Sequence, residues 1–378
     1  MTVRFKLMLV LFAILTLLLG GCSSKEDSLK EEPKPEEVPA FLQQESSSPQ
    51  ATALLKIHFI DVGQGDAILI QSPTGGNLLI DGGEKDQGEK VAGYLRDQGV
   101  EKLAAVVGTH PHSDHIGGLL EVIDNFPAAK VYLPAVTHSS QTFEELLLTI
   151  KNKQLKISTA RAGTVIPLNG LQAEFIAPQA EKYDDLNNYS AVVRISYGKH
   201  VFLFMGDAEQ ASEEQILRAY GNLQADVIKL GHHGSSSSSS PEFLAAVAPQ
   251  HAIIMCGIAN DYGHPHRETI AKLNKLKVKI YRTDQDGNIV VSSDGKQIII
   301  SSDRGKKTSD SANMPGLEAK ATPALDSDES GNYIGNKNSK IFHRPSCKTL
   351  PEMQNRVIFS KREEAVSQGY VPCKACQP

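Results

Sequence analysis

The sequence predicts an α/β fold over residues 53–303, with sheets covered by helices. Three observations point there. The region opens with short apolar runs separated by Gly-rich turns. Strand-like and amphipathic helical stretches then alternate, a pattern that stacks helices on sheets. Four apolar runs end in a ligand-type residue: Asp81, His110, Asp207 and the pair His232-His233. Such folds place their sites at strand ends. Singly, an Asp after a strand is a turn residue or helix cap; jointly, the four imply one convergent site.

The chain begins with Arg4 and Lys6 ahead of an apolar run from Leu7 to Leu19. That run is shorter than the ~20 residues that span a bilayer, and residues 1–21 fit a secretory signal peptide. The run closes on Leu19-Gly20-Gly21-Cys22, which resembles the bacterial lipobox. The resemblance implies cleavage before Cys22, a lipid on its thiol, and an extracytoplasmic, membrane-anchored lipoprotein. The alternative is an uncleaved anchor, or an ordinary signal with an incidental Cys. Residues 22–52 are rich in Glu, Lys, Ser and Pro, with Pro33, Pro35 and Pro39 blocking regular helix. Such a segment cannot bury enough apolar surface to fold, so it reads as a disordered tether.

Residues 53–60, 66–71 and 77–81 read as strands, and 88–97 as an amphipathic helix. Strand 104–109, helix 115–124, strand 129–133 and helix 141–151 follow, short apolar runs alternating with longer amphipathic ones. Strands near 172–177, 190–197 and 200–206 lead into helix 208–220. Strand 225–230, helix 241–247, strand 251–256, helix 266–275 and strands near 278–283, 288–292 and 297–301 complete the region. Residues 304–331, rich in Ser, Asp, Lys and Pro, form a second linker. Residues 332–378 form a small terminal module.

Residues 109–118 read THPHSDHIGG and carry the sharpest chemistry. An extended H-x-H turns two rings to one face, and the D-H that opens a helix faces the same space. That arrangement suits two adjacent metals, which can clamp the attacking and leaving oxygens of a hydrolysis. The bland alternative is a His-rich polar loop, but only 12 His occur in 378 residues.

From Cys22 onward the chain loses two bases and no acids, moving the formal net charge from −5 to −7. That balance argues against attachment to nucleic acid by bulk charge alone. The absence of Trp argues against broad base-stacking platforms. Cys256 lies in an apolar strand and reads as a buried free thiol.

The ordered series Asp81, His110/His112/Asp114/His115, Asp207 and His233 resembles the metallo-β-lactamase fold, an αββα sandwich, across residues 53–303. The segments 61–66 (DVGQGD), 109–118, Gly206-Asp207, Lys229-x-x-His232-His233-Gly234-Ser235, Tyr262-Gly263-His264-Pro265 and 282–287 (RTDQDG) are similar to the ComEC-like branch, the soluble hydrolase domain of DNA-uptake channels. Most members carry one more His before the bridging Asp. Here that stretch reads Asn187-Asn188-Tyr189-Ser190, and neither His138 nor His200 falls at an expected strand end. The open position suits water, a substrate phosphate or an Asn oxygen. More oxygen and less nitrogen shifts the balance from zinc toward manganese. The resemblance therefore implies two divalent metals, Zn or Mn. His110 and His112 would hold the first, Asp114, His115 and His233 the second, and Asp207 would bridge. Asp81 would orient a ligand His. His232 would contact substrate or donate a proton. His264 would protonate the leaving oxygen or bind phosphate, or be a surface-loop His. Residues 235–240, all Ser, would bond phosphate or form a flexible loop.

The terminal module pairs His343-x3-Cys347 with Cys373-x2-Cys376, four N/S ligands that suit a closed structural zinc site. With the segments 343–347 (HRPSC), 355–360 (NRVIFS), 364–370 (EAVSQGY) and 372–376 (PCKAC), it resembles the zinc-binding module of the Ada DNA-repair protein. Ada has Cys where this chain has His343, which removes the basis for alkyl transfer and leaves a folding role. A disulfide from Cys347 to Cys373 or Cys376 is the alternative. Eight bases against three acids in residues 332–378 suit a polyanion such as DNA, or simply a solvated basic face.

Three functions compete. The first is a surface-anchored metal-dependent phosphodiesterase or nuclease acting on extracellular DNA, linked to competence and DNA-uptake machinery. The second is a hydrolase of another surface phosphodiester polymer, such as choline-decorated teichoic acid. The third is a non-catalytic DNA- or wall-binding lipoprotein. A β-lactamase proper is disfavoured by the missing His.

Overall fold

A computed structural model describes residues 54–305, the backbone of 308–309, and 333–376 apart from 346, 348, 361, 374 and 375. The expected signal peptide, the expected tether with Cys22, and nearly all of the expected 304–331 linker lie outside the described residues.

The first sheet begins with β1 (Leu55–Phe59), β2 (Ile68–Gln71) and β3 (Asn77–Ile80), paired antiparallel. It continues in parallel through β4 (Ala105–Val107), β5 (Val131–Leu133) and β6 (Ile157–Thr159). The second sheet holds β7 (Gln172–Phe175), β8 (Val193–Tyr197) and β9 (His200–Phe204), antiparallel, then β10 (Val227–Lys229), β11 (His251–Ile254) and β12 (Lys279–Arg282), parallel. The chain then returns to the first sheet with β13 (Ile289–Ser293), β14 (Ile298–Ser302) and β15 (Thr308–Ser309), β13 pairing with β1.

Side-chain alternation builds three apolar layers. Ile57, Phe59, Leu78 and Ile80 meet Phe175, Phe202 and Phe204 between the sheets, with Phe59 and Phe204 stacked at 6.2 Å. Leu79 and Val106, one residue out of phase, face the opposite way. They pack under α1 (Gly88–Asp97), α3 (Leu119–Asn125) and α4 (Gln141–Asn152). Leu203 and Ile228 pack under α5 (Gln210–Ala219), α6 (Pro241–Val247) and α7 (Arg267–Lys275). The result is helix–sheet–sheet–helix, the expected αββα sandwich.

Several elements differ from expectation. The helix expected over 115–124 is split into α2 (Ser113–Ile116) and α3. The break falls at Gly117-Gly118, where a Cβ on Gly118 would lie 2.0 Å from the Gly82 carbonyl oxygen. The strand expected from 190 starts three residues later, because Leu186–Tyr189 form a 3-10 turn. Within residues 53–303 two strands or α-helices had no expectation: β6, a largely exposed edge strand without a strong apolar signal, and α8 (Thr283–Asp286), a single turn; beyond them, β15 falls where a linker was expected.

The terminal module is a small four-stranded sheet of β16 (Tyr333–Asn336), β17 (Ile341–His343), β18 (Arg356–Phe359) and β19 (Val371–Pro372), with α9 (Arg362–Ser367). Among the described residues its buried apolar cluster is Tyr333, Phe342, Phe359, Ala365 and Tyr370. No helix among the described residues is long and apolar enough to cross a membrane.

Candidate metal centre

The ends of β3, β4, β9 and β10 converge, bringing Asp81, His110, Asp207 and His233 to one place. Asp81 sits there with φ +58° and is fully buried. Its carboxylate accepts the Thr109 N–H and hydroxyl at 2.8 Å each, and His115 Nδ1–H at 2.8 Å. That last bond leaves the His115 Nε2 lone pair facing the centre, as a ligand imidazole requires. His233 Nδ1 donates to the Met255 carbonyl at 2.9 Å, so its Nε2 also faces inward.

The two Nε2 atoms are 3.3 Å apart. Asp207 Oδ2 lies 3.2 Å from His115 Nε2 and 3.4 Å from His233 Nε2, and Asp114 Oδ2 lies 3.2 Å from His233 Nε2. The ligand atoms of Asp114, His115, Asp207 and His233 all lie within 4.8 Å of one another. Two lone pairs and two carboxylates at this range repel unless a proton or cation sits among them. Burial alone would depress both imidazoles, yet Asp207 and Asp114 hold His115 and His233 well above the usual His range. Burial would likewise raise Asp207, but His115 and His233 hold it well below the carboxylate range. The donor set fits a divalent cation.

A second cluster adjoins it through Asp207. The Thr109 hydroxyl spends its hydrogen on Asp81, so it accepts from His110 Nδ1 at 3.1 Å. His110 Nε2 then faces His112 Nδ1 at 3.0 Å and Asp207 Oδ2 at 3.8 Å. Burial pulls His110 well below its ordinary value, with the neighbouring His115 adding to it, and burial lowers His112 too. Both rings are neutral at pH 7, the form that binds metal. Where a further His was missed in the sequence, Ser190 Oγ accepts the Asp207 N–H at 3.0 Å and stands 3.4 Å from His110 Nδ1. Asn187 is buried nearby with no partner for Oδ1. Its Nδ2 lies 3.5 Å from His232 Nδ1.

His232 and His233 are both left-handed, with φ +47° and +52°. His232 Nδ1 donates to Glu209 Oε1 at 2.9 Å, and Nε2 lies 4.0 Å from Asp207 Oδ2. The His264 ring is 5.3 Å from that of His232. Burial, then the His233 and His232 charges, pull His264 down to about 4. At pH 7 it is therefore neutral, better suited to hydrogen bonding than to proton donation. These residues line a cavity of about 450 Å³ with His112, Asp114, Asp207, His233, Tyr262 and His138. A larger cavity of about 530 Å³ lies at the opposite ends of the strands, around His200, Asp226 and His251.

The sequence reading assigned no role to three residues at this site. Lys229 is fully buried at the end of β10. It donates to the Gly206 carbonyl at 2.9 Å, pairs with the buried carboxylate of Asp66, and lies 3.9 Å from Asp207 Oδ1. A Lys inside an otherwise apolar strand was the available signal. Asp66 also reaches His233 Nδ1 at 3.4 Å. The loop before it grips α2: the Asp66 N–H donates to the Asp114 carbonyl, and a Cβ on Gly65 would lie 2.2 Å from that oxygen. The third is His138, whose ring lies 6.3 Å from that of His112.

In the terminal module, the ligand atoms of His343, Cys347, Cys373 and Cys376 lie within 4.8 Å of one another. All three thiols are free, so the disulfide alternative is not realised. Cys256 is also free and buried, its thiol pushed up to about 12 by burial.

Comparison with known proteins agrees with this geometry. The metal binding domain of Ada matches residues 320–378. ComE operon protein 3 of Bacillus subtilis (strain 168) is 31% identical over 251 residues, 62% of this chain and 32% of that protein. Competence protein ComA of Neisseria gonorrhoeae is 31% identical over 229 residues, 60% of this chain and 30% of that protein. The chain thus spans about a third of the length of these relatives. The metallo-beta-lactamase fold protein YhfI of Bacillus subtilis superposes with TM-score 0.41 at 16% identity, covering 60% of this chain and 95% of that one. The Metallo-beta-lactamase superfamily matches residues 60–258, and with a four-layer sandwich and a His/Asp cluster at its strand ends, this chain belongs to that superfamily.

Proposed function

We propose that this protein is a metal-dependent phosphodiesterase or nuclease that acts on extracellular DNA and is held at the bacterial surface by a lipid on Cys22. The observation that carries the reading is the pair of donor clusters sharing Asp207. His110 and His112 would hold one ion, and Asp114, His115 and His233 the other. Bound divalent ions supply an acidified water and neutralise charge on phosphoryl oxygens. The chain's own residues do the positioning. Asp81 and Met255 fix the imidazole tautomers. Glu209 fixes His232 with Nε2 toward the cavity, in reach of a phosphate oxygen. Similarity to a competence protein, ComA, supports DNA, the polymer that the ComEC-like resemblance implies, over other phosphodiesters. It also supports DNA-uptake machinery as the partner. The His343/Cys347/Cys373/Cys376 cluster would hold one structural zinc, giving the small basic module a folded face toward the polymer.

The test is incubation of the purified protein with Mn²⁺ or Zn²⁺ and a panel of DNA, RNA, bis-p-nitrophenyl phosphate and choline-decorated teichoic acid. Nucleotide release that is lost in Asp114→Ala and Asp207→Ala supports the reading. Turnover of teichoic acid alone transfers it to that polymer. DNA binding indifferent to chelator, with no turnover of anything, makes the protein a binding lipoprotein.

A further inference from the structure

Tyr262 stands out at the mouth of the cavity. It is 66% exposed, and it is the one aromatic residue among the most exposed large apolar side chains of the described residues. It lines the same cavity as Asp114, Asp207 and His233. Its ring lies nearly parallel to that of His264, with centroids 5.6 Å apart and planes at 20°.

The turn that carries it is pinned. Asn260 Nδ2 donates to the Gly257 and His264 carbonyls at 2.9 and 2.7 Å, and Asn260 Oδ1 accepts the His264 N–H at 2.9 Å. From the other side, the Ser236 N–H donates to His266 Nδ1, which leaves Nε2–H to donate to the Tyr262 carbonyl at 3.3 Å. Leaving an aromatic ring in water on a tied-down turn gains the fold nothing. A rigid ring beside a polar cavity is, however, how proteins hold single nucleic-acid strands, by base stacking.

We propose that Tyr262, backed by His264, is a stacking shelf for the nucleobase next to the phosphate held in the cavity. The inference rests on the phosphodiesterase reading and narrows it to strands with unpaired bases, since a base inside a duplex already has both faces covered. The shelf offers one flat face with imidazoles around it. A quaternary ammonium such as choline is held instead by an aromatic cage, and His232, His264 and His266 around Tyr262 do not form one.

The experiment uses the full chain loaded with Mn²⁺ or Zn²⁺, and single-stranded oligonucleotides with every base present or with an abasic residue at successive positions. Tyr262→Ala is expected to raise KM about tenfold on the complete strand, in line with stacking energies, and less than twofold on a strand abasic at the recognised position. Tyr262→Phe is expected to keep the wild-type KM, and duplex is expected to be the poorer substrate. Equal KM for wild type and Tyr262→Ala on the complete strand overturns the shelf, as does an equal penalty on complete and abasic strands. If no phosphodiester is cleaved, the phosphodiesterase reading fails separately, and anisotropy of a labelled strand reads the shelf directly. Tyr262-dependent loss of binding then supports it and unchanged binding overturns it. Competition by phosphocholine but not by a deoxynucleoside monophosphate overturns it in favour of a cation site.

Discussion

Replacing Lys229 with Met tests whether the buried pair with Asp66 holds the strand ends together. Met keeps most of the volume and the apolar stem. The Lys229 ammonium is fully buried and donates to the Gly206 carbonyl, immediately before Asp207. Without it, Asp66 keeps only His233 Nδ1 at 3.4 Å and His115 Nδ1 at 3.9 Å. Both of those hydrogens are already given, to Met255 and to Asp81. The Asp66 carboxylate thus loses its ammonium partner and keeps only the charge of His115 and His233, which Asp207 and Asp114 already share. Removing one partner of such a pair costs about 3–5 kcal/mol, of which the lost Gly206 bond accounts for about 1 kcal/mol. For a domain of this size that lowers Tm by roughly 6–20 °C. The assay is thermal unfolding of chelated protein followed by circular dichroism, because bound metal would mask the loss by mass action. Adding Asp66→Asn to Lys229→Met should recover at least about 2 kcal/mol, since no charge is then stranded. A loss under about 1 kcal/mol for the single variant, or a double variant no more stable than the single, would refute the reasoning.

Three further outcomes are expected. Asp81→Ala, which frees the His115 tautomer, should lower metal affinity roughly 10–100-fold by calorimetric titration; an unchanged affinity would remove Asp81 from the site. Chelated protein should lose stability as pH rises above neutrality. His115 and His233 are raised in the folded state, so their contribution is full below the unfolded value near 6.5 and is lost through their higher folded values. Lowered groups such as His58 and His264, at about 4, contribute nothing to the slope above 6.5, and metal-loaded protein should lack the decline. Cys373→Ser should release zinc and abolish amide protection in β16–β19, because so small a buried apolar cluster cannot by itself hold a module of this size. Retained protection would mean the cluster is not its staple.

How much of this was legible depends on the range of the signal. Strand-end residues such as Asp81, Asp207 and His233 follow apolar runs closely, so local pattern finds them. Asp66 and Lys229 meet only because β2 and β10 lie on opposite sheets, and no local spacing encodes that approach. The split between α2 and α3 was hidden because 115–124 carries a continuous helical pattern, while the reason for the break is the Gly82 backbone. His138 follows β5 by a loop rather than directly, so strand-end logic passed over it.

The four-layer architecture gives the candidate ions a mechanical role as well. His110, His112, Asp114 and His115 extend from the first sheet, whereas Asp207 and His233 extend from the second. Any ion shared by these donors would rivet the two sheets of the sandwich together at one end only. Tension between the sheets would then converge on Asp207, the donor common to both clusters. Metal occupancy and the tightness of the sandwich at its open end become a single variable.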